Sequence, residues 1–368
     1  MSKIRRALGL MSGTSMDGID IALIETDGGT HVRRLAAASV PYPEDFRHRL
    51  RQALTDARGL ADRTLRPGCL ADVERELTER HAEAALGFIA GEGLAAEGID
   101  VIGFHGQTVL HNPRDGITVQ LGDGQLLADA TRIDVVFDLR AADVQAGGEG
   151  APLAPAYHRA LAARLPQRPC VFLNIGGVAN VTWIGADESL VAFDTGPGNA
   201  MLDDLVMRAT GASHDADGRL AASGNIDERV VRVYLMHPYF AKPVPKSLDR
   251  NAFAPELVDD LATADAAATL AEFTVEAIVK AREHMPAEPA LWIVCGGGRR
   301  NRTLMSRLAA RVENAVVPAE AVGFDGDTLE AEAWAYLAVR SLDGLALSWP
   351  TTTGVAQPTP GGVSARPR

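Results

Sequence analysis

Cysteine is scarce in this chain. Cys69, Cys170 and Cys295 lie far apart and form no CxxC pair, so neither a disulfide framework nor a zinc site is indicated and a reducing cytoplasm is the expected compartment. Long apolar runs are absent too. Nothing approaches the roughly 20 residues needed to cross a bilayer, and the patch after Lys3, Arg5 and Arg6 is too short for a secretory signal. No membrane association is expected. Positive charge is in deficit, with 36 Lys and Arg against 48 Asp and Glu and a net charge of −12. That balance argues against nucleic acid as a partner, though not against a small anion held by backbone N–H groups. The common catalytic signatures are also missing: there is no GxxxxGK[ST], no GxGxxG, no GxSxG and no HExxH, which disfavours P-loop, dinucleotide, serine-hydrolase and zinc-protease chemistry.

What is present is length, hydrophobicity and glycine. A chain of 368 residues with 46% hydrophobic content is long enough for two domains with cores of their own. Strands are predicted at 4–11, 18–27 and 32–40, helices at about 44–57 and 69–96, and a buried strand at 99–104. A hairpin centred on Asp115-Gly116 follows. After Ala151 the plan begins again, with strands in Cys170–Gly177, Val178–Gly185 and Ser189–Asn199. A buried strand, Ala290–Gly298, then feeds a helix, and a final helix spans about Thr328 to Leu345. The Pro- and Thr-rich tail after Trp349 is read as irregular. Twice the chain gives strand, glycine turn, strand, strand, then helices. The pattern fits a duplicated α/β plan; chance repetition of a common pattern is the competing explanation.

Three turns combine glycine with polar side chains. Gly13-Thr14-Ser15-Met16-Asp17-Gly18 is either a hairpin turned by Asp17-Gly18 or a wider loop whose N–H groups and hydroxyls wrap a phosphate. Phe193–Asn199, FDTGPGN, is either an Asx-type turn or a carboxylate, Asp194, at the end of an apolar strand beside a helix start, where α/β proteins bind ligands. Cys295–Asn301, CGGGRRN, is either a closely packed helix entry or a flat backbone surface for a base or ribose.

Taken together, GLMSGTSMDGID, GFHGQT, GGEGAPLAPAYH, LNIGGVAN, DTGPGN and VCGGGRRN resemble the anhydro-N-acetylmuramic acid kinase family, within the ATPase superfamily of actin, sugar kinases and heat-shock chaperones. The likeness runs from about Ile4 to at least Ala338. Glu149 stands where the family pattern leads one to expect glutamine. The resemblance implies a two-lobed actin-like ATPase (ribonuclease H-like) fold with a duplicated βββαβα core and a central nucleotide cleft. One lobe would be 1–132, completed by about 346–368, and the other 133–345. It implies ATP and Mg²⁺ as cofactors and 1,6-anhydro-N-acetylmuramic acid as substrate. The sugar's internal ring would be opened by water as the γ-phosphoryl group moves to O6, in peptidoglycan recycling.

Under that resemblance Asp194 is the candidate base for the attacking water, and Glu330 a second catalytic carboxylate. The alternative for Glu330 is a capping-box partner of Asp327 at a helix start. Gly13, Thr14, Ser15, Met16, Asp17, Gly18, Ile19 and Asp20 would hold the phosphates, with Gly196 and Gly198. Gly296, Gly297, Gly298 and Asn301 would take the nucleoside side. His105, Gly106, Gln107 and Thr108 would line the sugar pocket. The magnesium ligands are unassigned, with Asp17 and Asp20 in reach through water. Lys246 is available for the lactyl carboxylate, against the plainer reading of a surface lysine. A homodimer is allowed. Two other functions stay open: a conventional sugar or acetate-type kinase without ring opening, and a non-enzymatic, nucleotide-driven protein of the actin or chaperone kind.

Overall fold

The structure is a computed structural model, and it describes residues 3–13 and 15–368. The chain opens with three strands, β1 (Arg5–Met11), β2 (Gly18–Thr26) and β3 (Val32–Pro41), and two helices, α1 (Glu44–Asp56) and α2 (Leu70–Gly91). Strand β4 (Val101–Phe104) follows, then a hairpin of β5 (Gln107–Asn112) and β6 (Ile117–Leu121). Next come α3 (Gly124–Thr131), β7 (Val135–Phe137), α4 (Ala141–Gln145) and α5 (Pro155–Ala162). The meander is then repeated as β8 (Cys170–Ile175), β9 (Val178–Ile184) and β10 (Leu190–Pro197). Helices α6 (Ala200–Thr210), α7 (Arg219–Ser223), α8 (Glu228–Leu235) and α9 (Thr263–Lys280) lead to β11 (Leu291–Cys295). After it come α10 (Arg302–Arg311), β12 (Ala315–Pro318), α11 (Leu329–Leu342) and β13 (Val363–Ala365).

The chain divides into two compact units, 1–164 with 328–368, and 165–327. The first unit has a six-stranded sheet in the order β13-β7-β4-β1-β2-β3, and the second a five-stranded sheet in the order β10-β9-β8-β11-β12. In each, the first strand is central and pairs antiparallel with the second, which pairs antiparallel with the third. The fourth strand, β4 or β11, lies parallel to the first on its other side, and β7 or β12 continues the parallel run. This repeated order is a ribonuclease H-like core present twice, the fold that the sequence resemblance implies. A meander needs only short turns, whereas the step to a parallel neighbour needs a helical crossover.

Each unit buries its own core. In unit 1, Leu8, Leu10, Ile21, Phe46, Leu77, Ile102 and Phe104 come together. In unit 2, Val171, Leu173, Val181, Phe193, Phe273, Trp292 and Val294 do so. The other face of the unit 1 sheet takes α11, admitted by two glycines. A Cβ on Gly9 would stand 1.8 Å from the Ala331 carbonyl oxygen, and one on Gly103 2.1 Å from that of Trp334.

These contacts move the expected boundaries. Residues 133–164 and 328–345 pack with unit 1, because β7 extends its sheet and α11 lies on β1 and β4. The tail read as irregular contains β13, which pairs antiparallel with β7. The helix predicted to continue to residue 96 ends at Gly91, before Gly93 with φ +67°.

Candidate functional site

In unit 1, residues 12–17 join β1 to β2. Met16 donates its N–H to the Gly13 carbonyl at 3.1 Å and takes a positive φ of 53°. Ser15 Oγ donates to Asp17 Oδ1 at 2.7 Å. Thr14 lies outside the described residues. The turn is braced from below: buried Gln107 accepts from Ser12 Oγ at 2.7 Å and donates to the Gly13 carbonyl at 3.1 Å, and Tyr42 Oη donates to Ser12 Oγ at 2.9 Å. Gln107, expected to line the sugar pocket, also supports the turn. Ile19 belongs to the core, and a Cβ on Gly18 would meet the Val40 carbonyl oxygen at 2.5 Å.

His105 is buried at the end of β4. Its Nδ1 lies 3.2 Å from the Ser12 carbonyl, and its Nε2 3.3 Å from Arg140 Nε and 3.2 Å from Arg140 Nη2. A carbonyl can only accept and a guanidinium can only donate, so these partners fix the neutral tautomer with the proton on Nδ1. Burial first, and then the Arg140 charge, lower its pKa to about 3. Its ring packs on Trp334 at 4.5 Å, and the Arg140 guanidinium lies over that indole at 5.0 Å. Gly106 takes φ +68° where a Cβ would be 2.2 Å from the Leu121 carbonyl oxygen. Thr108 Oγ1 accepts from Gln120 Nε2 at 3.2 Å.

Arg140 donates Nη1–H to the Gly150 carbonyl at 2.9 Å. Burial lowers its pKa to about 10, opposed by Glu330 and Asp143. Glu330 opens from the first turn of α11 toward solvent, yet the protein packed around its carboxyl pushes the pKa up; Arg140 opposes the rise and Asp20 adds to it. The capping-box alternative for Glu330 does not hold. The N-cap is Thr328, whose hydroxyl donates to Glu332 Oε1 at 3.0 Å, while Asp327 pairs with Arg299 at 2.8 Å. Glu332 also takes Arg34 at 2.6 Å and the Tyr157 hydroxyl at 2.7 Å.

In unit 2, Asp194 lies on edge strand β10 where the pairing register shifts before Gly196. Its N–H donates to the Lys246 carbonyl at 3.0 Å, its Oδ2 accepts the Leu248 N–H at 2.8 Å, and its carbonyl accepts the Tyr239 hydroxyl. A Cβ on Gly196 would meet Ala277 at 2.8 Å, and one on Gly198 the Gly176 carbonyl oxygen at 2.2 Å. The helix start beyond does not leave all its N–H groups open, as the sequence suggested. Gly198 and Ala200 donate to the Gly177 carbonyl and Asn199 to that of Gly176. Gly296, at φ +72°, and Gly298 let the β11 turn lie against Asn174 and Ile175, while Gly297 is exposed. Asn301 caps α10 by accepting the Leu304 N–H at 3.0 Å.

The full length of the chain can be compared with known proteins. The anhydro-N-acetylmuramic acid kinase profile matches residues 5–365. The chain belongs to the anhydro-N-acetylmuramic acid kinase family. The protein of that name from Rhizobium etli is 52% identical over all of both chains, and that from Brucella canis 51%. The Rhodopseudomonas palustris protein is 52% identical over 98% of this chain and 99% of its own. Among solved structures, component A of (R)-2-hydroxyglutaryl-CoA dehydratase from Acidaminococcus fermentans is a distant likeness, with TM-score 0.49 and 10% identity over 92% of this chain and 99% of that one. As a member of the kinase family, this chain is a phosphotransferase with an alcohol acceptor.

Two participants in these sites escaped the sequence reading. Arg140 and Trp334 sit in otherwise ordinary stretches and acquire meaning only by meeting His105. Lys246 was visible, but its side chain is 8% exposed and is not a surface lysine.

Proposed function

We propose that this member of the anhydro-N-acetylmuramic acid kinase family converts 1,6-anhydro-N-acetylmuramic acid, water and ATP to N-acetylmuramic acid 6-phosphate and ADP, in peptidoglycan recycling. The observation that carries the reading is identity above half over full length with relatives bearing that name. Water attacks C1, the C1–O6 bond breaks, and O6 takes the γ-phosphoryl group. Asp194 accepts the water proton; the Leu248 N–H on Oδ2 supports that role by fixing the carboxylate's orientation. Glu330 is assigned to the phosphoryl-transfer half, where Arg140 and Asp20 are its charged neighbours. The 12–18 turn is assigned to the phosphates and the Gly296–Gly298 run to the nucleoside.

Bound Mg²⁺ would neutralise phosphate charge, and Asp20 with Glu330 is the carboxylate pair that suits a hard cation. Among the described residues no group of three His, Cys, Asp or Glu forms a metal cluster. No helix among them is long and apolar enough to cross a membrane. The free cysteines support the cytoplasmic compartment included in this reading, and the homodimer it allows is tested by light scattering.

Reaction in ¹⁸O-water with ATP and the anhydro sugar tests the chemistry. The expected product carries the label at C1. Phosphorylated product without label would leave a kinase that does not open the ring, and no product at all would leave the non-enzymatic reading.

A further inference from the structure

The segment from Tyr239 to Leu248 grips Asp194 at three points. The Lys246 carbonyl takes its N–H, the Leu248 N–H takes its Oδ2 and the Tyr239 hydroxyl reaches its carbonyl. Residue 194 lies on an edge strand, where outward-pointing backbone groups have no further strand to meet. The segment fills that place, and its hold depends on its own shape.

That shape is closed by the Lys246 side chain. Its ammonium turns back onto the Tyr239 and Phe240 carbonyls at 3.4 and 3.5 Å, within the short 3₁₀ turn Pro238–Ala241, and onto His284 Nε2 at 3.3 Å. The Tyr239 ring lies 4.8 Å from Nζ and the Phe193 ring 5.9 Å. The cation thus sits on carbonyls, one imidazole and two aromatic faces, buried in a protein whose other lysines and arginines mostly find carboxylates. Burying an ammonium with no carboxylate in direct contact is costly, and burial lowers its pKa to about 8, with Lys280 and Lys242 adding to the fall and Glu283 opposing it. A neutral side chain of equal length would fill the same space without that cost. What only the ammonium supplies is several hydrogen bonds converging on one point, tying Tyr239, Phe240 and His284 to the strand of chain that ends at Leu248.

We propose that Lys246 is a positioning residue: its ammonium locks the 239–248 segment into the shape that aims the Asp194 carboxylate. The proposal rests on Asp194 being the base. Lys246 thereby acts on turnover without touching sugar or nucleotide, and it is not the reader of the lactyl carboxylate.

The experiment is a double-mutant cycle on the full chain, combining Lys246→Met with Asp194→Asn and reading single-turnover rates and KM for both substrates. Lys246→Met alone is expected to lower kcat about tenfold, within the range a misplaced catalytic group causes, with KM for ATP changed less than twofold. In the Asp194→Asn background the same substitution is expected to change nothing further. A tenfold loss in both backgrounds would overturn the proposal, as would unchanged kcat in Lys246→Met. Tyr239→Phe, which removes a single hydroxyl, covers the case in which Lys246→Met does not fold. It is expected to lower kcat only when Asp194 is present, and wild-type kcat would overturn the proposal. Near-normal turnover in Asp194→Asn alone would instead remove the assignment of the base, an outcome distinct from failure of the clamp.

Discussion

In unit 1, residues 12–17 separate β1 from β2; in unit 2, Gly176 and Gly177 alone separate β8 from β9. The strand order is the same and the turns do opposite jobs. The wide turn is braced from beneath by Gln107, Ser12 and Tyr42, which leaves its outer rim to shape a loop. The narrow turn gives its two carbonyls to Gly198, Asn199 and Ala200 and so fixes the start of α6. The carboxylates differ in the same way. Strand β10 carries Asp194 at a bulge, while its counterpart β3 has no acidic residue. Unit 1 takes its carboxylate, Glu330, from helix α11. A duplicated fold preserves the path of the backbone and leaves each copy free to place charge on a different element.

The largest effect should come from breaking unit 2's half of that contrast. Asp194→Asn keeps the shape and the Leu248 contact while removing the proposed base, so turnover should fall about 10²–10⁴-fold with nucleotide affinity preserved. Calorimetric ATP binding beside a rate measurement decides this. A parallel loss of affinity would mean that Asp194 holds nucleotide rather than water.

Next in size is a stability effect confined to unit 1. Its strands β1 and β4 carry Gly9 and Gly103 where α11 presses backbone against backbone, whereas β8 and β11 carry no glycine. Gly103→Ala puts a methyl group into the Trp334 carbonyl and cannot be relieved by rotating a side chain. It should destabilise by about 1–3 kcal/mol or more, read as a lower urea midpoint. Tryptophan emission from Trp334 should follow that shift, and an unmoved midpoint would mean that α11 sits farther from the sheet.

These glycines also show how much could be read beforehand. The strands, the repeated meander and the glycine turns were legible because alternation and punctuation are local signals. The placement of α11 was not, because an Ala-rich helix after a long insertion does not declare which sheet it returns to. Gly9 and Gly103, set in otherwise apolar strands, were the available sign of a close backbone approach. Asn301 before an apolar-periodic helix was equally readable as an N-cap. Glu330 and Glu332 are chemically alike and two residues apart, so only the fold separates the carboxylate tied to Thr328, Arg34 and Tyr157 from the one facing solvent. The burial of Lys246 was not legible, because its partners are carbonyls and rings, which leave no pattern in sequence.

A smaller effect concerns the charge around Glu330. Arg140 is the cation that opposes the rise in its pKa. Arg140→Gln removes that opposition, so the Glu330 carboxyl should stay protonated to higher pH. The acid limb of the turnover profile should move upward, while Asp194→Asn leaves the position of that limb unchanged in its residual rate. If Arg140→Gln lowers the rate without moving the limb, Glu330 does not titrate in the rate-limiting step.

The smallest effect sharpens the comparison through acid stability. Unit 1 buries His81, His105 and His158 with pKa values lowered to about 4, 3 and 3, each chiefly by burial. In unit 2 the pKa of His284 is lowered, by burial and by Lys246. A histidine whose folded pKa lies below its unfolded value of 6.5 binds fewer protons folded than unfolded in the interval between them. The stability present above 6.5 is therefore lost as pH falls toward the folded pKa, at up to about 1.4 kcal/mol per pH unit for each group. Unit 1 should weaken first on acidification below about 6.5. His81 isolates one such proton, because its ring lies among Phe104 and Tyr42 at 4.9 and 6.4 Å and its Nε2 is buried without a partner. His81→Phe should leave stability near neutrality almost unchanged, since the lost Nδ1 contact is to a helix carbonyl, that of Leu77. Between pH 6.5 and 4.5 it should make the decline of the urea midpoint shallower by the equivalent of one proton. An equal slope in variant and wild type would mean that His81 is protonated in place without cost, and that its burial does not set the acid sensitivity of unit 1.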